Sequence, residues 1–485
     1  MQKLLITFLL FFNVLSWAQK PNIIYIYADD LGYGELGCYG QQKIKTPHID
    51  ALAKEGMRFT RHYSSAPVCA PARCMLLTGK HSGHSYIRGN YELGGYADST
   101  EGGQMPLHEG TVTIPFLLKQ NGYATAMIGK WGLGMQNTTG NPLKQGFDYY
   151  YGYLDQKQAH NYYPTHLWEN DHWDTLNNPS IYVHRKLDHP TTDEDYQYYK
   201  GKEYAPDKIT EKALRWIGDH TSNAFYLHLA YPIPHVSLQV PDKALIRYLG
   251  KFPETPYNTS GNYAMHKYPV SAYAAMISYL DSLVGVIVEK VKKSGLENNT
   301  IIIFSSDNGT TFVKSVDATY FNSVAGLRGL KMDVYEGGIR VPFIVKWKGK
   351  IKPNTTSDLV SVQYDLMATL NELLHFNAPQ NDGVSFLPTL LNNPSAQKKR
   401  DFTYFEYPEN GGQLAIHLDQ WKGVKTNMIK NKNALWELYN LDIDPFEKNN
   451  IADQHPEILK KLDQIVSKEH MNSHIREWEF INPKF

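Results

Sequence analysis

The sequence predicts an α/β fold: a large, mainly parallel central sheet sandwiched by helices, with a smaller C-terminal α+β domain carrying a short antiparallel sheet. Three observations point there. Pro21-Asn22-Ile23-Ile24-Tyr25-Ile26-Tyr27-Ala28 is apolar and β-branched almost throughout, as in a strand covered on both faces. Similar runs recur at 122–129, 224–230 and 300–306, and helical periodicity precedes the last two at 206–217 and 271–293. Beyond Asn381-Asp382-Gly383 the pattern changes to short strands at 402–407, 414–417, 421–425 and 436–440, then a helix at 456–468.

The chain opens with Met1 to Ala18, which reads as a secretory signal: Lys3, an apolar core from Leu4 to Leu15, and the exit Ser16-Trp17-Ala18. That core is short of the ~20 apolar residues needed to span a bilayer. No second long apolar run is apparent, so the mature chain is expected to be exported, periplasmic or secreted, without stable membrane insertion. After the first strand, Thr46-Pro47 caps a helix running through Ile49, Leu52, Ala53 and Met57. Next comes Ser64 to Gly79. Pro71 suits the first turn of a helix and Gly79 its end. Cys69 then sits just ahead of a helix N-terminus, where free N–H groups favour anions, and Arg73 can reach back from one turn on. The stretch Gly146 to Asp174 is rich in Tyr, Trp and His, which suits a packed insertion and a sugar-stacking loop equally. The predicted units are 1–18 (signal), 19–380 (α/β domain) and 381–485 (α+β domain), with no repeat or low-complexity linker between them.

Composition narrows the function. The 485 residues carry 49 basic and 49 acidic side chains, so nothing global favours nucleic acid or an anionic membrane. Anion binding has to be local. Three cysteines are too few for a disulfide scaffold. In a parallel sheet ligands bind outside the carboxyl ends of the strands. Asp29, Asp30, Lys130, His235, Asp307 and Asn308 all fall there. Asp29, Asp30, Asp307 and Asn308 offer hard oxygens, which suit Ca²⁺ or Mg²⁺.

Cys69-x-Pro71-x-Arg73 followed by Leu77-Thr78-Gly79 resembles the signature of the formylglycine-dependent (type I) sulfatases of the alkaline-phosphatase superfamily. The resemblance implies that a maturation enzyme oxidises Cys69 to Cα-formylglycine, whose hydrate is the nucleophile. It extends to the Asp29-Asp30 pair and to Asp307-Asn308-Gly309, matching that family's calcium ligands, with an oxygen at position 69 joining them; Ca²⁺ is therefore expected ahead of Mg²⁺. It also covers Gly329-Leu330-Lys331, Glu336 to Pro342 and Trp436-Glu437-Leu438-Tyr439. Arg73, Lys130 and Lys331 match positions that hold sulfate, and His235 matches the general acid, with Lys331 beside it. If Cys69 is converted, Cys38 and Cys74 remain and could pair.

Three positions depart from the pattern: Ala72, Ser237 where Pro is common, and Gly132 where many relatives have a His that contacts the hydrate. His81, His84 and His160 are candidates to fill that gap, and His160, in the loop after the Lys130 strand, is preferred. His84, Arg88, His160 and His166 are further expected to bind substrate. The segment around His160 and Tyr163 resembles sulfatases of glycan-degrading bacteria, some acting on sulfated galactose, so a sulfated carbohydrate is the expected substrate. Two alternatives stand beside it: a phosphoester or phosphonate hydrolase of the same superfamily, and a non-catalytic glycan-binding relative.

Overall fold

The computed structural model describes residues 20–95, 100–258 and 262–483, so the signal segment Met1 to Ala18 lies outside the described residues. The central sheet has ten strands, in the order Thr355–Ser357, Met57–Phe59, Phe343–Trp347, Thr300–Ser306, Asn22–Asp29, Phe225–Pro234, Ala124–Lys130, Tyr149–Tyr153, His166–Glu169 and His172–Thr175. The five from Thr300–Ser306 to Tyr149–Tyr153 are parallel. Phe343–Trp347 on one side and the hairpin from His166 to Thr175 on the other join antiparallel.

Alternate residues of the first strand enter opposite layers, as a strand's period of two requires. Ile24, Ile26 and Ala28 pack with helices Pro47–Glu55, Ala205–Asp219 and Pro269–Lys293. Ile23, Tyr25 and Tyr27 pack with Cys69–Thr78, Ile114–Gln120 and Asp365–Leu374. Double burial explains the uninterrupted apolar run.

Helix Pro269–Lys293 corrects the expectation of no second long apolar run. It holds an 18-residue window of mean hydropathy 1.5, of which 78% is buried inside the protein. It is a core helix. Met57 is a second correction: the helix stops at Glu55, Gly56 caps it by donating to Ala53 O, and Met57 opens an edge strand. In the aromatic stretch, Tyr150, Tyr151, Tyr153, Tyr162 and Tyr163 are buried, so most of its rings build the core.

The smaller sheet is a meander of Thr403–Tyr407, Gln413–Leu418, Trp421–Lys425 and Glu437–Asn440. Leu414, Ile416 and Leu438 pack with Ile458 and Leu462 of helix Pro456–Glu469. Phe405, Tyr407 and Val424 cluster with Tyr63, Val68 and Cys69, so this sheet closes over the cysteine. Cys38, Cys69 and Cys74 are all free.

Candidate active site

Parallel pairing brings strand ends that are distant in sequence to one edge. Asp29 and Lys130 are the last residues of their strands, while His235 and Asp307 directly follow theirs. Asp29 lies opposite Pro234, and Ala28 opposite Ser306. Cys69 meets them as the first residue of helix Cys69–Thr78, with extended Val68 ahead of it and Gly79 (φ +68°) closing the far end. Its Sγ lies 3.6 Å from Asp29 Oδ1, 3.6 Å from Lys130 Nζ and 3.7 Å from Lys331 Nζ. Lys130 Nζ is 2.6 Å from Asp29, and Lys331 Nζ 2.9 Å from Asp30. Arg73 turns to Asp307 at 2.7 Å and to the Lys130 carbonyl at 2.7 Å, with its guanidinium over Tyr27. Asn308 Nδ2 donates to Asp30 at 2.7 Å, and His235 Nε2 is 3.6 Å from Asp30.

The electrostatics follow from crowding charge in a dry place. Burial would raise the Asp29 carboxyl, but Lys130, His235, Arg73 and Lys331 hold it well below the carboxylate range. Burial and the Asp29 charge push Asp307 up to about 7. Burial also pushes the Cys69 thiol up to about 12, against the pull of Lys130 and Lys331. At neutral pH Cys69 is a thiol, a weak nucleophile. Burial, then Lys331, brings His235 down to about 4, so its ring is neutral.

A divalent cation suits this donor set. Asp29, Asp30 and Cys69 offer ligand atoms within 4.8 Å of one another, a group that also reaches His235. Asn308 Oδ1 is buried without a hydrogen-bond partner, and Asp307 Oδ1 accepts from the Asp30 N–H at 3.1 Å. Asp29 pairs with Lys130, Asp30 with Lys331 and Asp307 with Arg73.

A wall of rings stands beside His235. His160 stacks on it with centroids 4.9 Å apart and planes 6° apart, and Tyr263 meets both edge-on. Their tautomers follow from backbone carbonyls. His184 Nδ1 donates to Asn262 O, which leaves His184 Nε2 to accept from His160 Nδ1 at 3.2 Å. His160 Nε2 is then a bare acceptor. His235 Nδ1 donates to Val236 O in the same way. Gly132 has a compensating neighbour: its φ is +76°, and a Cβ there would lie 2.5 Å from Gln156 Cγ. Gln156 therefore fills the room a side chain at 132 would need, and both of its amide atoms are buried without partners.

Three expected substrate residues have their partners elsewhere. His84 pairs with Asp382 at 3.0 Å and stacks on His81, which in turn contacts Glu469. Arg88 is buried, with its guanidinium on Glu406, Ser85 O and Gly83 O. His166 is buried against Glu101, Gln158 and the face of Trp173. Arg88 and His166 therefore make internal ties, and His84 lies in a carboxylate pair. Sequence reading missed His184, Tyr263 and Gln156. Only the gap at Gly132 could have prompted a search for the last.

Residues 21–376 match the family model described as Sulfatase, and residues 330–472 match that described as N-sulphoglucosamine sulphohydrolase, C-terminal. The chain is 33% identical to an N-acetylgalactosamine-6-O-sulfatase of Bacteroides thetaiotaomicron, covering 93% of each chain. It is 29% identical to human arylsulfatase A, over 93% of this chain and 88% of that one. The solved structure of Ps i-CgsB with k-i-k-neocarrahexaose superposes with a TM-score of 0.74 at 26% identity, covering 96% of this chain and 95% of that one. With a buried cysteine, cationic groups and carboxylates gathered at one sheet edge, and the family model matched along most of the chain, this protein belongs to the sulfatase family and is a sulfuric ester hydrolase.

Proposed function

We propose that this sulfatase removes sulfate from a sulfated carbohydrate outside the cytoplasm, using formylglycine at position 69 and one Ca²⁺ held by Asp29, Asp30, Asp307 and Asn308. The observation that carries it is the state of Cys69. A thiol pushed up to about 12 cannot serve as a thiolate, yet two ammonium groups and Asp29 lie within 3.7 Å of its sulfur. That environment suits an oxygen nucleophile, and a hydrated aldehyde there supplies one whose second hydroxyl lets sulfate leave, while the cation supplies Lewis acidity. Arg73, Lys130 and Lys331 neutralise the ester's spread charge. His235 hands a proton to the departing sugar oxygen. Because its ring is neutral in the free site, it takes up that proton only once the anionic ester is bound. His160, with Nε2 bare, takes a proton from a hydroxyl in the site, the part that Gly132 has no side chain to play.

The named sulfatase relatives favour a sulfate ester over the phosphoester and phosphonate alternatives. The substrate class draws on the named activity of the Bacteroides relative and the saccharide held by Ps i-CgsB. A sulfated N-acetylgalactosamine unit follows the Bacteroides relative's name. The test pairs peptide mass analysis of position 69, in chain co-produced with a maturation enzyme, with digestion of defined sulfated saccharides. Aldehyde-bearing protein should desulfate members of the set; full activity from chain bearing only unmodified cysteine would refute the reading. Export is checked by the mature N-terminus, expected after Ala18 in periplasm or medium.

A further inference from the structure

We propose that Glu35 is a positioning residue for the divalent cation, fastening the two acidic loops into one cradle; this rests on the cation reading above. Glu35 follows the Asp29-Asp30 turn, and its side chain is fully buried. Its Oε2 accepts from Gly32 N at 2.6 Å. Its Oε1 accepts from Tyr273 Oη at 2.5 Å and from Thr310 Oγ1 at 3.1 Å. Gly32 stands two residues beyond Asp30, and Thr310 two beyond Asn308. One carboxylate therefore grips both loops at the same remove from their cation-facing residues. Tyr273 anchors that grip to the core helix Pro269–Lys293.

The loops leave little slack. A Cβ on Gly32 would sit 3.0 Å from Thr310 Cβ and 2.5 Å from Ser323 O. Asp30 holds φ +63°, a left-handed conformation uncommon outside glycine, with its N–H on Asp307 Oδ1 at 3.1 Å. Among the described residues no cationic side chain pairs with Glu35; neutral donors alone meet it. A buried carboxylate without a cationic partner is expensive to keep. Setting the spacing of the oxygen ligands accounts for it, because groups that orient metal ligands typically change metal affinity roughly 10- to 100-fold when altered.

The experiment titrates Ca²⁺ calorimetrically into the metal-stripped full chain and its variants, with the metal-free melting temperature measured in parallel. Glu35→Gln should bind Ca²⁺ roughly 10- to 100-fold more weakly. Tyr273→Phe and Thr310→Val, which each remove one donor, should weaken it less, and Asp307→Ala should abolish binding. A merely structural Glu35 would lower the melting temperature and leave affinity alone. Binding by Glu35→Gln within twofold of the parent overturns the proposal. Should Glu35→Gln fail to fold, Tyr273→Phe and Thr310→Val decide it: weaker binding in either supports it, and parental affinity in both overturns it. A parent chain that binds no Ca²⁺ refutes the cation reading itself, and the proposal falls with it.

Discussion

Around Cys69, the carboxylates Asp29, Asp30 and Asp307 lie among Lys130, Lys331 and Arg73. Where the small sheet meets the main domain, Glu336 and Glu447 lie among Lys422, Arg340 and His417. There Glu336 meets Lys422 and His417 at 3.0 Å, Arg340 at 3.4 Å and Tyr63 Oη at 2.9 Å, while Lys422 spans to Glu447 at 2.8 Å. Glu336 and Lys422 are as buried as the groups around Cys69. Burial and pairing therefore do not separate the two regions. What separates them is what their charges are spent on. At the junction they tie a strand of the small sheet to the helix at Glu336–Ile339. Around Cys69, Asn308 Oδ1 and Arg73 Nε remain buried and without hydrogen-bond partners, whereas at the junction Glu447 Oε1, which makes no hydrogen bond, still faces Lys422 Nζ at 2.8 Å. Charges that only hold parts together saturate one another; a site for a ligand keeps valence in reserve.

Substitutions can break that contrast. The largest expected effect is at Cys69: Cys69→Ala should take turnover below detection while the melting temperature stays within a few degrees of the parent. A collapse of the fold would put Cys69 in the structural class with Lys422. His160→Ala should come next, slowing sulfate release in single-turnover assays by about 10²–10⁴, the range for a positioned proton acceptor. Unchanged release with weaker glycan binding would reduce His160 to a contact. Lys422→Met should do the reverse of Cys69→Ala. Stranding Glu336 among fewer cations costs about 3–5 kcal/mol in denaturant unfolding, with turnover per folded molecule kept. Loss of turnover without loss of stability would erase the distinction drawn here.

The smallest effect concerns a buried carboxylate that pairs with no cationic side chain among the described residues. Asp281 accepts the N–H groups of His48 and Ile49 on one oxygen, and burial pushes its carboxyl up to about 7. A raised carboxylate pKa contributes stability that is full below about 4 and lost as pH rises through about 7. Asp281→Asn keeps the accepting oxygen and cannot ionise. It should match the parent near pH 4 and exceed it by about 1–2 kcal/mol at pH 8. Parallel pH profiles for the two chains would show that backbone N–H groups alone keep a buried acid charged at no cost.

The strands were legible where two burial layers act on every residue. Ile23 to Ala28 has no polar interruption because neither face meets water. The cysteine motif and the acids at strand ends were legible for a chemical reason, since their residue types have few other uses in that order. Met57–Phe59 was not, because three residues after a helix carry no period of their own. The internal partners of Arg88 and His166 were not legible, because proximity in sequence to the Cys69 helix or to a ring-rich loop says nothing of direction. Arg88 ends on Glu406, 318 residues away. His184 and Tyr263 reach the site from separate loops, and no local spacing links them to His160.

The small sheet's position over Cys69 has a consequence in time. Phe405, Tyr407 and Val424 come from the last fifth of the chain, and with them in place the cysteine is only 2% exposed. A protein catalyst as large as an oxidising enzyme cannot seat itself on a side chain so covered. On the reading proposed above, an enzyme that converts Cys69 would have to meet it while residues 403–440 are still unfolded or unmade. A chain that closes first would then keep its thiol out of that enzyme's reach.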